Sequence, residues 1–249
     1  MSGFDSSAAY YEVLSDSDAR LAREGPLLIE CLRRAPGTRA ADLACGTGLH
    51  ARFLADHGAQ VAAIDLSPEM VAHARERRPH PAITYSVGDM RAIEGGPWDL
   101  AICLGNSLSL LRSLEEVDCA MKGVSCALTP GGIFLVQVVN YAATAAQQPR
   151  HRVERKRAGD AEIIAIKNLV PHDGRTLLSM TFYFALNGQY TSVSETAVLL
   201  NLTREQVLDS AKRAALRVGA VYGGFDRSEY DPDASPDLVC ILEKPSYSP

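Results

Sequence analysis

At 249 residues with 47% hydrophobic content, the chain has the size of one large α/β domain, or of one domain carrying a subdomain. A formal net charge of −5 argues against a broad electrostatic grip on phosphate backbones, so nucleic acid is not an expected partner. The six cysteines show no C-x-x-C spacing and no histidine pair to complete a zinc pattern. No segment has transmembrane length and no basic-then-apolar leader is seen. The expectation is a reduced, cytoplasmic protein with no metal and no membrane partner.

In chain order, a polar stretch around Tyr10 and Tyr11 precedes a helix carrying Leu27, Leu28, Ile29 and Leu32, which Pro36-Gly37 breaks. From Ala40 short apolar runs alternate with amphipathic stretches, the pattern of βα units on a parallel sheet. Ala40–Leu43 reads as strand one and Leu49–Gly58 as the helix after it. Val61–Ile64 is strand two, and Ser67-Pro68 opens the next helix. Ile83–Val87 and Leu100–Leu104 are strands three and four. Ser113 opens a helix to about Leu128, and Pro130-Gly131-Gly132 turns into strand five, Ile133–Val139. The texture then changes. Glu162–Leu169, Leu177–Leu186 and Tyr190–Leu199 read as antiparallel strands with turns at His172-Asp173-Gly174 and Asn187-Gly188. Thr203-x-x-Gln206 marks a capping box for a helix to about Leu216, and Val218–Tyr222 and Leu238–Leu242 close the chain as strands.

The division is therefore 1–36 as an N-terminal helical cap, 37–145 as the core, 146–202 as an antiparallel β insertion, and 203–249 completing the core. The insertion after strand five can fold over the carboxyl ends of the parallel strands, where ligands bind in such sheets, or reach a neighbouring subunit in a homo-oligomer. The basic run Arg150, His151, Arg152, Arg155, Lys156 and Arg157 reads either as a solvated strand or loop edge or as a patch for an anionic substrate.

The sharpest motif is Asp42-Leu43-Ala44-Cys45-Gly46-Thr47-Gly48, between a strand and a helix. Glycines let a ligand approach the backbone, and the helix start presents N–H groups. Asp65 ends strand two, where a carboxylate can accept from a ribose diol. The chain continues Leu49-His50-Ala51-Arg52 and lacks the third glycine of a dinucleotide loop, which weakens an NAD-dependent oxidoreductase. The acid at Asp42 suits a cationic ligand better than a pyrophosphate.

Asp42–Gly48, Asp65, Gly88-Asp89-Met90, Ile102–Ser107 and Leu128–Gly132 together resemble the ordered motifs of class I S-adenosylmethionine (SAM)-dependent methyltransferases, over Ala40 to Tyr141. Ile102-Cys103-Leu104-Gly105-Asn106-Ser107 and Asn140-Tyr141 are similar to the glycine N-methyltransferase group. The resemblance implies a Rossmann-like α/β fold with a mostly parallel seven-stranded sheet, and methyl transfer from SAM to a small-molecule acceptor, leaving S-adenosyl-L-homocysteine (SAH). It implies that Ala44, Gly46 and Gly48 line the methionine part and ribose, Asp65 holds the ribose, and Leu66, Asp89 and Met90 meet the adenine. The Leu104 carbonyl would take the SAM amino group and Arg20, with Arg23 as rival, its carboxylate. Tyr11 or Tyr10 would close over SAM.

Asn106, Asn140 and Tyr141 are the expected acceptor contacts. The Asn106 amide oxygen would take an amine proton and aim the lone pair at the methyl group. His151, Tyr141 and Asp226 are candidate bases, whereas His50 is expected to be structural. One departure stands out: Val139 occupies the place of the arginine expected to hold the substrate carboxylate in the glycine enzymes. Burying an unpaired carboxylate is unfavourable, so glycine is not the expected substrate. A module that binds SAM or a nucleotide without catalysis stays open.

Overall fold

The computed structural model describes residues 16–143, 147–158, 161–186 and 189–246. Its larger sheet has seven strands. They are β1 (Arg39–Leu43), β2 (Gln60–Asp65), β3 (Ile83–Val87), β4 (Trp98–Cys103), β5 (Leu128–Val139), β10 (Arg217–Tyr222) and β11 (Asp237–Glu243). Their spatial order is β10-β11-β5-β4-β1-β2-β3. All neighbours run parallel except β11, which is antiparallel to both β5 and β10. The order reverses between β1 and β4, and an open α/β sheet binds ligands beyond the strand ends at such a reversal.

Local chemistry sets the helices on this sheet. The Asp16 side chain caps α1 (Ser17–Arg34), accepting from the Ala19 N–H at 3.0 Å. Gly48 opens α2 (Leu49–Asp56). Ser67 caps α3 (Pro68–Arg77), with Pro68 placed where its missing N–H is harmless. Ser113 caps α4 (Leu114–Ala127), and Thr203 with Gln206 forms a reciprocal capping box on α5 (Arg204–Arg213). That helix stops short of Leu216 because Ala215 takes a left-handed φ of 57°.

Every residue of β4 is buried, as expected of a central strand covered on both faces. Leu100 and Ile102 face the layer of α1, α2 and α3. Ala101 and Cys103 face the layer of α4 and α5.

A second sheet follows β5. Its strands β6 (Arg150–Ala158), β7 (Ala161–His172), β8 (Arg175–Leu186) and β9 (Gln189–Leu200) form an antiparallel meander. The basic run is thus an edge strand, β6. Asp173 (φ 45°) and Gly174 (φ 70°) make the β7–β8 turn. The Asn187-Gly188 turn lies outside the described residues. One face of the meander packs Leu178, Met180, Phe182 and Leu199 against Tyr141, just past the end of β5. The other face exposes Val170, Leu177, Tyr183 and Val198.

Among the described residues no helix is long and apolar enough to cross a membrane, and no cluster of three or more metal-ligating side chains occurs.

Candidate active site

The carboxyl ends of β1, β2 and β4 lie side by side at the reversal of strand order, where a crevice is expected. After β1 the chain turns through Ala44, Gly46 and Gly48 at φ 55°, 53° and 77°. A Cβ on Gly46 would meet no atom within 4 Å, so that side of the loop is open, whereas one on Gly48 would fall 2.8 Å from Tyr85 Oη. Gly46 leaves room for a ligand and Gly48 lets the loop pack on its own fold.

Asp65 fixes this loop from β2. Its Oδ2 accepts from the Gly46 N–H at 2.7 Å and its Oδ1 from the Ser67 N–H at 2.9 Å. The acid is thus part of the frame as well as a candidate ribose ligand. Leu66 follows with an exposed apolar side chain.

Beneath the loop sits Asp42, buried, with Oδ2 lacking a hydrogen-bond partner among the described residues. Burial pushes its carboxyl up to about 7, against the opposing pull of the Ala51 N–H and of Arg20. A buried, unsatisfied carboxylate is costly, and a cationic ligand would relieve it.

Arg20 reaches the same region from α1. Its Nε donates to both oxygens of Glu24 (3.1 and 3.2 Å), and its Nη2 lies 3.1 Å from where a Cβ on Gly105 would stand. Glu24 is buried and also accepts from Arg23 at 2.8 Å and from His50 Nε2 at 2.6 Å. Burial raises the Glu24 carboxyl, but His50, Arg20 and Arg23 outweigh this and bring it down to about 2. His50 is itself lowered by burial, with Glu24 pulling the other way. This four-residue network ties α1 to α2. Arg23, the rival of Arg20, instead lies over the Phe225 ring at 5.9 Å.

Two expected cofactor contacts carry bonds of their own. Ser107 Oγ donates to the Leu104 carbonyl at 2.8 Å, leaving one lone pair of that oxygen for an amine. The Asp89 carboxylate is gripped by the Arg91 guanidinium, which holds it below the usual carboxylate range; Arg91 also reaches Glu116. Met90 packs on the α4 side of the core. Tyr10 and Tyr11 lie outside the described residues.

On the acceptor side the sequence expectations change. Asn106 sits in a left-handed turn (φ 65°) after β4. Its amide oxygen does not face the cleft as a bare acceptor. It takes the Val139 N–H at 2.9 Å and Ser109 Oγ–H at 3.0 Å, while its Nδ2 donates to Tyr141 Oη at 2.7 Å. The Asn106 amide is thus engaged within the fold, with half-buried Asn106 bonded to buried Tyr141. Burial raises the Tyr141 hydroxyl above its ordinary pKa, so it is a neutral phenol rather than a base.

Asn140 is corrected more sharply. It is 2% exposed, donates to the carbonyls of Asp231, Pro232 and Ser235, and accepts from Tyr230 Oη and the Ala142 N–H. It staples the β10–β11 connection and has nothing left for a substrate. Val139 packs in the apolar cluster around Tyr141. His151 is exposed on β6, and Asp226 is bonded to Ser228.

Sequence reasoning missed Gln137. Its Oε1 accepts from the N–H groups of Gly105 (2.8 Å) and Asn106 (3.1 Å), and its Nε2 donates to Asp237 at 2.7 Å. A polar residue among Phe134, Leu135, Val136 and Val138 in a buried strand was the available signal.

With this geometry in hand, residues 40–132 match a family model described as a methyltransferase domain. A dTDP-3-amino-3,6-dideoxy-alpha-D-glucopyranose N,N-dimethyltransferase of Streptomyces fradiae is 31% identical over 129 residues, 51% of this chain and 46% of that one. A glycine/sarcosine N-methyltransferase of Halorhodospira halochloris is 34% identical over 137 residues, 53% of this chain and 51% of that one. The chain thus spans about half the length of these curated relatives. Among solved structures, Streptomyces venezuelae DesVI superposes with a TM-score of 0.79 at 21% identity, covering 98% of this chain and 99% of its own. SAM-bound CalS10, an amino pentose methyltransferase from Micromonospora echinaspora, gives 0.75 at 20% identity and 95% of each chain. The fold is the Rossmann-like fold seen in those SAM-dependent methyltransferase structures, and residues 40–132, the part similar to a methyltransferase domain, form its core.

Proposed function

We propose that the protein transfers a methyl group from SAM to the amine of a small-molecule acceptor, in the cytoplasm, with residues 146–202 capping the acceptor. The observation that carries this is the convergence of three groups at one strand reversal: the open Gly46 side of the loop, Asp65 and Leu66 beside it, and the unsatisfied Asp42 beneath it. Those groups suit a sugar diol, an adenine face and a cationic amino acid in turn. Arg20 is placed to pair with the carboxylate of such a ligand, a geometry its planar fork favours.

The cofactor, when bound, supplies a methyl group already activated by the positive sulfonium. The protein's own task is to align the acceptor and exclude water, and orientation alone can lower a barrier by several kcal/mol. Tyr141 is held rigid by Asn106, and its oxygen can take an acceptor N–H and so direct the nitrogen lone pair. The amine must be neutral when it attacks; its surplus proton leaves to solvent once the N–C bond has formed.

Amino-sugar relatives such as the Streptomyces fradiae enzyme support an amine acceptor. The apolar surroundings of Val139 favour an acceptor other than glycine. Calorimetry with SAM and SAH, followed by turnover assays on an amine panel, tests the proposal. Micromolar binding and methylation of an amino sugar, with glycine inert, is the expected result. A folded protein that binds neither compound refutes the cofactor assignment, and ordinary turnover of glycine refutes the acceptor assignment.

A further inference from the structure

The four-stranded meander has two faces of different character. Residues paired directly across an antiparallel ladder share a face. The face holding Leu178, Met180 and Phe182, which packs toward Tyr141, therefore also carries Arg150 opposite Leu169 and Arg152 opposite Lys167. Arg157 and Glu162 oppose each other on the outer face, and Arg155 also pairs with Glu162 there, so the outer arginines have their anion within the sheet.

The inner face holds four cations, Arg150, Arg152, Lys156 and Lys167, against two anions, Glu154 and Glu195. Arg152 and Lys167 are like charges directly opposite each other, an arrangement that destabilises a ladder. Glu154, on the same strand, offsets part of this repulsion at 2.8 Å from Arg152 Nε. Edge protection accounts for cations on β6, since charge on an edge strand discourages pairing with other chains. It does not account for Lys167, because β7 is an interior strand. Leu169, directly across from Arg150, packs against the Tyr141 cluster. Arg150, Arg152 and Lys167 thus border the wall that packs on Tyr141.

We propose that Arg150, Arg152 and Lys167 form an anion subsite for the methyl acceptor, which therefore carries a phosphate or carboxylate as well as its amine. This rests on the methyltransferase reading of the cleft. It places the charge that Val139 cannot supply some distance from the amine, and so selects an extended acceptor over a single amino acid.

The test titrates inorganic pyrophosphate, and separately malonate, into the SAH-saturated protein. One-to-one binding is expected, weakened at least tenfold in the Arg152→Gln/Lys167→Gln double variant and less than twofold in Arg155→Gln on the outer face of the same sheet. The single variant Lys167→Met keeps the aliphatic stem and guards against misfolding; it should still weaken binding severalfold with the melting temperature unchanged. The tighter of the two probes identifies the anion. Absence of binding, or equal losses for inner-face and outer-face variants, overturns the subsite. SAH affinity, measured in the same series, separates this from failure of the cofactor assignment, which would remove SAH binding itself.

Discussion

The two walls of the cleft are built by opposite means. The wall beneath the glycine loop is made of left-handed backbone and of carboxylates at the ends of adjacent parallel strands, each within a few residues of a strand end. The wall beyond β5 is made of side chains gathered from distant segments: Asn106 and Tyr141 are 35 residues apart, and Gln137 and Asp237 are 100 apart. The first wall is local in sequence and the second is scattered; in the proposed function they serve the cofactor and the methyl acceptor respectively. Perturbations on the two sides should accordingly separate binding of the cofactor from turnover.

The largest effect is expected at Asp65→Ala, which removes the acceptor of the Gly46 and Ser67 N–H groups together with the proposed ribose contact. Affinity for SAM and SAH should fall about a hundredfold, roughly 3 kcal/mol, with the fold retained by circular dichroism. Next comes Asn106→Ala, which frees Tyr141 and strands the Val139 N–H. Here kcat should fall tens of fold while SAH affinity stays within threefold, and Tyr141→Phe should reproduce the kcat loss. Equal losses in kcat and SAH affinity would merge the two walls.

A smaller change is expected from Glu24→Gln. Arg20 keeps its charge but loses the bidentate brace on its Nε, so SAH affinity should drop about tenfold, roughly 1.4 kcal/mol, with kcat little altered at saturating SAM. The smallest is a pH effect. The folded-state pKa of Asp42, about 7, lies above its ordinary value of 3.8. The folded protein therefore holds a proton that the unfolded chain has released, and the Asp42 contribution to stability declines as pH rises between those values. A cationic ligand favours the ionised form, so SAH affinity should climb severalfold from pH 6 to 8, with proton release seen by calorimetry in buffers of different ionisation heat. Asp42→Asn should flatten the profile.

The same contrast governs what could be read from the chain. Strand–glycine–helix order, the acid after strand two and the capping signals lie within short windows, and β3 runs over the expected residues, Ile83–Val87. The seven strands and three of the meander's four were likewise legible from alternation and turn residues; β6, rich in charge, carries no apolar alternation to mark it. Asn140 and Asn106 misled because an asparagine at a strand end looks the same whether its amide faces solvent or a loop almost a hundred residues away. Gln137 was hidden for the converse reason: its partners are N–H groups and a carboxylate that meet it only after β5 has slotted between β4 and β11. The brace on Arg20 needed α1 to lie on α2, which no local pattern states.

The union between the two sheets has a consequence for motion. Among the described residues the apolar cluster at the joint has five buried side chains, Tyr141, Leu178, Met180, Phe182 and Leu199, whereas the seven-stranded sheet is sandwiched by two far larger apolar layers. Partial unfolding follows the weakest boundary. Hydrogen exchange is therefore expected to show the meander opening as a unit ahead of the larger sheet, which would give the proposed acceptor a way in without disturbing the glycine loop.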